Sequence, residues 1–378
     1  MPKKINVGII GAGWMGATHA RAYLNVTQVF GNSFVPILNT IADINEASAK
    51  ILAAKYGFNK WTIRWQDIVE DPDNDLVVIA TPNKYHIEQL IAAAKNGKAV
   101  FCEKPFGMNT EEVEAGLRVI EETGVPNMVG FVYIHNPIIG YAKKIIESGE
   151  LGDVVSFKGV FDMDYAADPD IPHAWRYYSS ISGALGDIGT HVLSISEYLI
   201  GENQINEVCA ITNTLYKERR NPNDSKGFLP VENDDQVNII YKYKNGAVGS
   251  ITASRIAPGN KVGERFELQL TKGTIRYDQE RMGELEVYKI SDPVEEQGFK
   301  TIHENVMHGE FSMFYPQAGL SLGYIDIMTI QAYKLLKAIS EGRKIKPDAE
   351  SGYNITVLTD AILKSANEHR WVKIDKCR

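Results

Sequence analysis

Cysteine is scarce: Cys102, Cys209 and Cys377 are the only three in 378 residues, and they lie far apart. They offer neither a disulfide framework nor metal-ligand spacing, which points to a reducing, cytoplasmic setting. Positive charge is also short, with 40 Lys and Arg against 48 Asp and Glu and a net charge of -8. Phosphate binding needs concentrated positive charge, so this balance argues against a nucleic-acid partner. No stretch approaches the roughly 20 apolar residues of a membrane span. The basic start Met1-Pro2-Lys3-Lys4 runs into only six strand-like residues, too few for a signal segment, so a soluble cytosolic protein is expected. The eight histidines are scattered without an H-E-x-x-H, and Asp162-Met163-Asp164 lacks the rest of a calcium loop. No metal is expected. There is no internal repeat and no low-complexity tract.

What is present is an ordinary globular composition, 44% hydrophobic and 23% charged, in a chain long enough for two domains. Short apolar runs at 5–10, 37–42, 76–80, 99–102 and 128–133 alternate with helical stretches at 14–24, 45–55, 86–96 and 110–122. Such alternation predicts an α/β Rossmann domain with a parallel, doubly wound sheet over residues 1–134. After a helix at 138–148 the pattern changes. Strand-like segments follow at 154–163, 207–214, 236–243, 248–253, 265–270, 273–277 and 284–289, with Asn245-Gly246 as a hairpin turn between two of them. Residues 135–378 therefore read as an α+β domain with a large, mostly antiparallel sheet and two late helices at 324–341 and 352–368. The polar stretch 217–227 reads as a mobile loop.

Three constellations carry chemistry. The first is Gly11-Ala12-Gly13-Trp14-Met15-Gly16, which follows a strand and opens a helix. Gly11 permits the tight turn, Gly13 lets backbone approach a pyrophosphate, and Gly16 allows close helix-strand packing. The helix start aims free N–H groups at the phosphates. Asp43, closing the second strand, suits adenine-ribose hydroxyls and repels a 2′-phosphate, which favours NAD over NADP; a surface or capping aspartate is the competing reading. The second is Glu103-Lys104-Pro105, where a strand ends at the nucleotide crevice. There a lysine ammonium can reach a substrate hydroxyl and favour its ionisation. The third is Gly186-Asp187-Ile188-Gly189-Thr190-His191. On a helix Asp187 and His191 share a face, and an imidazole can take and return a proton. A helix start with a packed histidine is the plainer alternative. Together the three read as an oxidoreductase moving hydride between a nicotinamide and an alcohol.

These residues also carry a resemblance. GIIGAGWMG (8–16), ATPNKYH (80–86), CEKP (102–105) and GALGDIGTH (183–191) make the chain similar to the Gfo/Idh/MocA oxidoreductases, along nearly its whole length. The resemblance implies a Rossmann domain followed by a mostly antiparallel sheet, with NAD held between them. It further implies that Lys104 binds the reacting hydroxyl, His191 is the acid-base and Asp187 holds sugar hydroxyls. Thr81, Asn83 and His86 would line the cofactor crevice beside Glu103 and Lys104, and Trp65 would edge the adenine or nicotinamide. Residues 157–178 resemble the levoglucosan dehydrogenases, with Tyr165 where that subgroup usually has tryptophan. That likeness points to oxidation at ring C3 of an anhydrosugar or glycoside. Inositol dehydrogenases, which act on cyclitols, belong to the same family. Tyr133, Tyr165, Trp175 and Arg176 are candidate pocket residues, with Trp175 and Arg176 also toward the nicotinamide. Two rivals share the fold: an NAD-requiring glycosidase, and a non-catalytic NAD-binding sensor. Family members cover the outer face of the second-domain sheet with another subunit, so a homotetramer, or failing that a homodimer, is expected. A monomer in light scattering at micromolar concentration would contradict both.

Overall fold

Alternating apolar runs and helical stretches build a parallel sheet in the first part of the chain. The computed structural model describes residues 3–31, 33–178, 182–224 and 226–374. Strands β1 (Lys3–Ile10), β2 (Phe34–Ala42), β3 (Lys60–Thr62), β4 (Leu76–Ile79), β5 (Ala99–Cys102) and β6 (Asn127–Val129) lie in the order β3-β2-β1-β4-β5-β6, all parallel. The crossovers are helices α1 (Trp14–Phe30), α2 (Glu46–Tyr56), α3 (Gln66–Glu70), α4 (His86–Lys95) and α5 (Thr110–Thr123). Every residue of β4 is buried, as a parallel strand covered on both faces requires. Short polar residues set the helix ends: Asn45 accepts from Ser48 N–H at 3.1 Å and Asn109 from Glu112 N–H at 2.9 Å. The strand order reverses between β1 and β4, so a ligand crevice is expected at the carboxyl ends of these strands.

Two segments depart from the sequence reading. Helix α1 continues to Phe30 rather than stopping near Leu24, because Val26 is fully buried and the Phe30 ring stacks 3.9 Å from that of Tyr333. This longer helix supplies the extra spacing before Asp43; Asn32, within that spacing, lies outside the described residues. The run at 128–133 is a strand only to Val129, and Tyr133 sits in a buried 3-10 turn (Val132–His135).

In the second part, α6 (Pro137–Glu147) precedes β7 (Val154–Asp162), and α7 (Thr190–Ile200) precedes β8 (Ile205–Asn213). Then come β9 (Glu218–Arg220), β10 (Phe228–Pro230), β11 (Gln236–Tyr243), β12 (Val248–Ser254), β13 (Gly263–Leu270), β14 (Gly273–Asp278), β15 (Glu284–Lys289) and β16 (Lys300–His303). The chain ends with α8 (Tyr324–Glu341), α9 (Ala349–Glu368) and β17 (Val372–Lys373). Nine strands form one sheet in the order β16-β15-β14-β13-β7-β12-β11-β8-β17; β7 and β12 are parallel and the other pairs antiparallel. Alternation is clean in β11, where Val237, Ile239, Tyr241 and Tyr243 are buried while Asn238, Ile240 and Lys242 are exposed. Ile211, Ile240 and Val248 are each more than half exposed on that sheet.

The stretch read as a mobile loop holds β9, paired to β10, and Arg219 within it is fully buried. Its guanidinium donates to the carbonyls of Ala166 (2.6 Å) and Asp168 (2.9 Å), so a polar run here marks a buried anchor. Ser225 of this stretch lies outside the described residues, as do Met1, Pro2 and Cys377.

The chain divides into two compact units: Met1–His135 with Leu322–Thr356, and Asn136–Ser321 with Val357–Arg378. This corrects the assignment of all of 135–378 to the second domain, since α8 belongs to the first unit. Its apolar face explains why. Tyr333 stacks on Phe30 and Phe34, and Ile327, Ile330 and Leu335 are fully buried. Among the described residues no helix is long and apolar enough to cross a membrane, and no group of three His, Cys, Asp or Glu could hold a metal ion.

Candidate active site

In the first unit the glycine turn leaves a cradle of bare backbone. Gly11 has φ 105°, and a Cβ there would stand 2.5 Å from the Ala80 carbonyl oxygen. A Cβ on Gly16 would stand 1.9 Å from the Gly11 carbonyl oxygen, whereas one on Gly13 would meet nothing within 4 Å. Helix α1 opens with Gly13 as its cap, no side-chain cap bond and no acid in its first turn. Its first N–H groups and its positive dipole end therefore suit an anion, and the open space at Gly13 admits one. Beside the cradle, Asp43 Oδ2 accepts from Ala12 N–H (2.7 Å) and Oδ1 from Asn45 N–H (2.8 Å). An ionised carboxylate has further lone pairs for ribose hydroxyls. This donor and acceptor set fits a dinucleotide. Trp14 is 68% exposed and stacks 5.8 Å from Tyr324, whose ring is 6.3 Å from that of Tyr133. Met15 is half-buried in the first turn of α1, and Trp65 is half-buried just before α3.

Lys104 is half-buried where the chain leaves β5. The preceding Glu103 is buried; its Oε1 contacts Nε2 of the buried His19 on α1 at 2.8 Å and its Oε2 accepts from Lys104 N–H at 3.2 Å. Gly130 leaves room for that carboxylate, since a Cβ there would stand 2.9 Å from Oε2. Glu103 thus braces the lysine backbone from inside. His86 is also held from inside. It is 1% exposed, with Nδ1 2.9 Å from the Pro105 carbonyl and Nε2 2.8 Å from the Thr81 carbonyl. Burial holds its pKa below the usual imidazole value despite those two acceptors. A neutral ring donates to only one of these two carbonyls at a time, so the buried His86 is tied to the backbone at the end of β4 or of β5. Thr81 Oγ1 donates to Gln89 (2.8 Å), and Asn83 is buried beside it.

In the second unit Leu185–Gly189 forms a π-helical turn that runs into α7. Such turns place side chains out of ordinary helical register and cluster at functional sites. Asp187, on this turn, accepts from Tyr165 OH at 2.8 Å and lies 3.6 Å from Arg176 Nε, both at Oδ2. Burial and the neighbouring carboxylate raise the Tyr165 pKa well above the ordinary phenol value, so it stays a donor. The Arg176 guanidinium also stacks 4.5 Å over the Trp175 ring. His191 is buried one turn on, 6.0 Å from the Phe161 ring. Tyr165, Trp175, Arg176 and Asp187, dispersed in sequence, therefore form one cluster: a carboxylate fixed by a phenol and a guanidinium, with the guanidinium over an indole.

Residues 5–131 match the model of the oxidoreductase family, NAD-binding Rossmann fold, and residues 139–276 match the GFO/IDH/MocA C-terminal domain. The chain belongs to the Gfo/Idh/MocA family. Levoglucosan dehydrogenase of Pseudarthrobacter phenanthrenivorans is 37% identical over 388 residues, covering 98% of each chain. The scyllo-inositol 2-dehydrogenase (NAD(+)) of Bacillus subtilis is 32% identical over 277 residues, 73% of this chain and 74% of its own. A solved levoglucosan dehydrogenase, in complex with NADH and levoglucosan, superposes with a TM-score of 0.95 at 38% identity, covering 99% of this chain and 100% of that one. This Gfo/Idh/MocA member is thus an oxidoreductase from a family of NAD-dependent sugar and cyclitol dehydrogenases.

Several residues of the two clusters escaped the sequence reading. His19 sits on an otherwise apolar helix face, and a lone polar residue there was the available signal. Tyr324 could not be assigned because α8 returns to the first unit from far along the chain. Asn233, Asp234 and Asp235, just before β11, match no motif, yet all three are nearly fully buried.

Proposed function

We propose that this Gfo/Idh/MocA member is an NAD-dependent dehydrogenase oxidising a ring hydroxyl of a sugar, anhydrosugar, glycoside or cyclitol to a ketone, with C3 of an anhydrosugar or glycoside favoured. The observation that carries this reading is the Tyr165–Asp187–Arg176 cluster, in a chain similar end to end to a levoglucosan dehydrogenase. Bound NAD supplies the acceptor for the hydride leaving the carbinol carbon. Gly11, Gly13, Gly16 and the start of α1 would hold its pyrophosphate, and Asp43 its adenine ribose. Trp14, Met15, Trp65, Thr81 and Asn83 complete the cofactor side in this reading. Lys104 stabilises the developing alkoxide by its charge, and His191 takes the hydroxyl proton. Asp187 and Arg176 hold neighbouring hydroxyls, while Tyr133, Tyr165 and Trp175 shape the pocket around the ring. Assembly into a homodimer or homotetramer through the outer face of the nine-stranded sheet belongs to the same reading, since Ile211, Ile240 and Val248 need cover.

The direct test is NADH formation, followed by its absorbance, with levoglucosan, glucose, glucosides, galactose and inositols. Stoichiometric NADH with at least one of them is expected. Release of an aglycone without net NADH would make the protein a glycosidase, and tight NAD binding without turnover on any of them would make it a sensor.

The cofactor side has its own test. Asp43→Ser removes a charge-assisted acceptor and the grip on Ala12, so NAD affinity should fall by about tenfold or more. Discrimination against NADP should fall with it, because the repulsion of a 2′-phosphate is gone. Unchanged preference in initial-rate kinetics with both cofactors would remove Asp43 from the cofactor site.

A further inference from the structure

The carboxylate of Asp234, at the head of β11, is buried directly behind the π-helical turn that carries Asp187. We infer that Asp234 is a positioning residue, setting where Asp187 and His191 stand through the entry of that turn. The inference rests on the substrate-side roles proposed above for those two residues and goes beyond them.

Two consecutive N–H groups at the entry of the turn end on Asp234. Ala184 N–H donates to its backbone carbonyl at 2.9 Å and Leu185 N–H to its Oδ2 at 2.9 Å. The preceding Gly183 is pressed on the same residue. A Cβ there would stand 1.9 Å from Asp234 Oδ1 and 2.8 Å from its carbonyl oxygen, so no side chain fits. The next residue back, Asn233, donates from Nδ2 to the Arg176 carbonyl at 2.6 Å. One short segment therefore holds the backbone of both Arg176 and the Asp187 turn, whose side chains meet at 3.6 Å.

Asparagine would suffice if Asp234 served the fold alone. Its carboxylate is 5% exposed, and its Oδ1 has no hydrogen-bond partner among the described residues. Burial pushes its pKa up to about 6, with Asp235 adding to the rise and the Leu185 N–H and Arg255 opposing it. The sign matters. The folded state holds this proton more tightly than the unfolded chain, so above about pH 6 the ionised carboxylate lowers stability. A group kept at a cost to stability is the mark of a functional constraint rather than a packing one. What the charge adds is a stronger, better directed acceptor for Leu185 N–H than an amide offers.

The test compares D234N, D234A and G183A with the unsubstituted protein and with D187N. At pH 8, D234N should melt no lower than the parent, because the buried charge is gone. In D234A and G183A the KM for the sugar should rise by about tenfold or more and kcat should fall, with NAD affinity within about twofold. D234N, which keeps an acceptor for Leu185, should lie between them and the parent. Cooperatively folded D234A or G183A with sugar KM and kcat within twofold of the parent would overturn the inference, as would a D234N that melts lower and turns over normally. If D234A does not fold, G183A and D234N decide by the same criteria. An inactive D187N beside normal G183A and D234N sinks the role of Asp234 alone, whereas a D187N of normal turnover takes down the substrate-side reading as well.

Discussion

Lys104→Ala should lower turnover by about 10³-fold while leaving NAD affinity within about twofold of the parent. Removing one preorganised donor from a developing oxyanion costs on the order of 10²–10³ in rate, and a full positive charge on a partly buried stem stands at the upper end. Binding of the dinucleotide should be spared, because its phosphates are assigned to the glycine cradle and the start of α1. The backbone at this position is held independently of the ammonium group, by Glu103 Oε2 on the Lys104 N–H and by Glu103 Oε1 on His19. Truncation therefore removes the charge without collapsing the loop, and kcat should fall far more than the KM for NAD. Lys104→Arg should not restore the rate, since a planar fork cannot replace a compact ammonium at one oxygen. Pre-steady-state NADH formation together with titration of NAD by quenching of tryptophan fluorescence measures both quantities. Near-normal turnover in Lys104→Ala would refute the role.

The parts of this molecule legible in the sequence are those whose chemistry is local. Runs such as Leu76–Ile79 state both their strand character and their burial, and Asn45 and Asn109 announce helix starts that the structure places one residue later. The glycine turn was legible because sterics at Gly11 and Gly16 tolerate no side chain. Long-range partnerships were not legible. Nothing in the neighbourhood of Tyr165 or Arg176 announces Asp187, because their contact exists only once β7, the 3-10 turn at Trp175–Tyr177 and the π-turn are folded. Internal braces are the hardest residues to read, because spacing does not tell a buried polar group from a solvent- or ligand-facing one: His86 lies beside two carbonyls, Glu103 is bonded to His19, and Arg219 is buried within a stretch whose composition reads as a loop. Burial of a charged group depends on partners supplied from elsewhere in the fold, and those partners have no fixed spacing. Helix α8 was misplaced for a related reason, since periodicity reports that a helix has an apolar face but not which core receives it.

The buried braces are also where stability is most exposed. Arg255→Ala should destabilise the second unit by about 3–5 kcal/mol, the usual consequence of leaving one member of a buried ion pair without its partner. Both Arg255 and Asp235 are fully buried, with Arg255 Nε donating to Asp235 Oδ1 at 2.9 Å and Nη2 2.8 Å from the same oxygen. Nη2 also donates to Asn233 Oδ1 at 2.7 Å, and the guanidinium lies 4.7 Å over the Tyr177 ring. On the other side Asp235 Oδ2 accepts from Leu215 and Tyr216 N–H at 2.8 and 3.0 Å. Deleting the guanidinium strands that carboxylate inside the fold and opens a cavity against Tyr177, so charge and packing losses add. Asp235→Ala should cost a comparable amount for the converse reason. Replacing both by apolar residues of similar volume, as in Arg255→Met with Asp235→Leu, should cost less than the sum of the single changes, because neither charge is then left alone. Reversible denaturation monitored by circular dichroism yields the coupling energy from such a cycle. A loss below about 1 kcal/mol in Arg255→Ala would show the pair to be solvated and replaceable. A large loss would mean that the segment holding Arg176 and the Asp187 turn is braced by the same pair that keeps the second unit folded, so substrate-side precision and stability in this protein share one set of buried contacts.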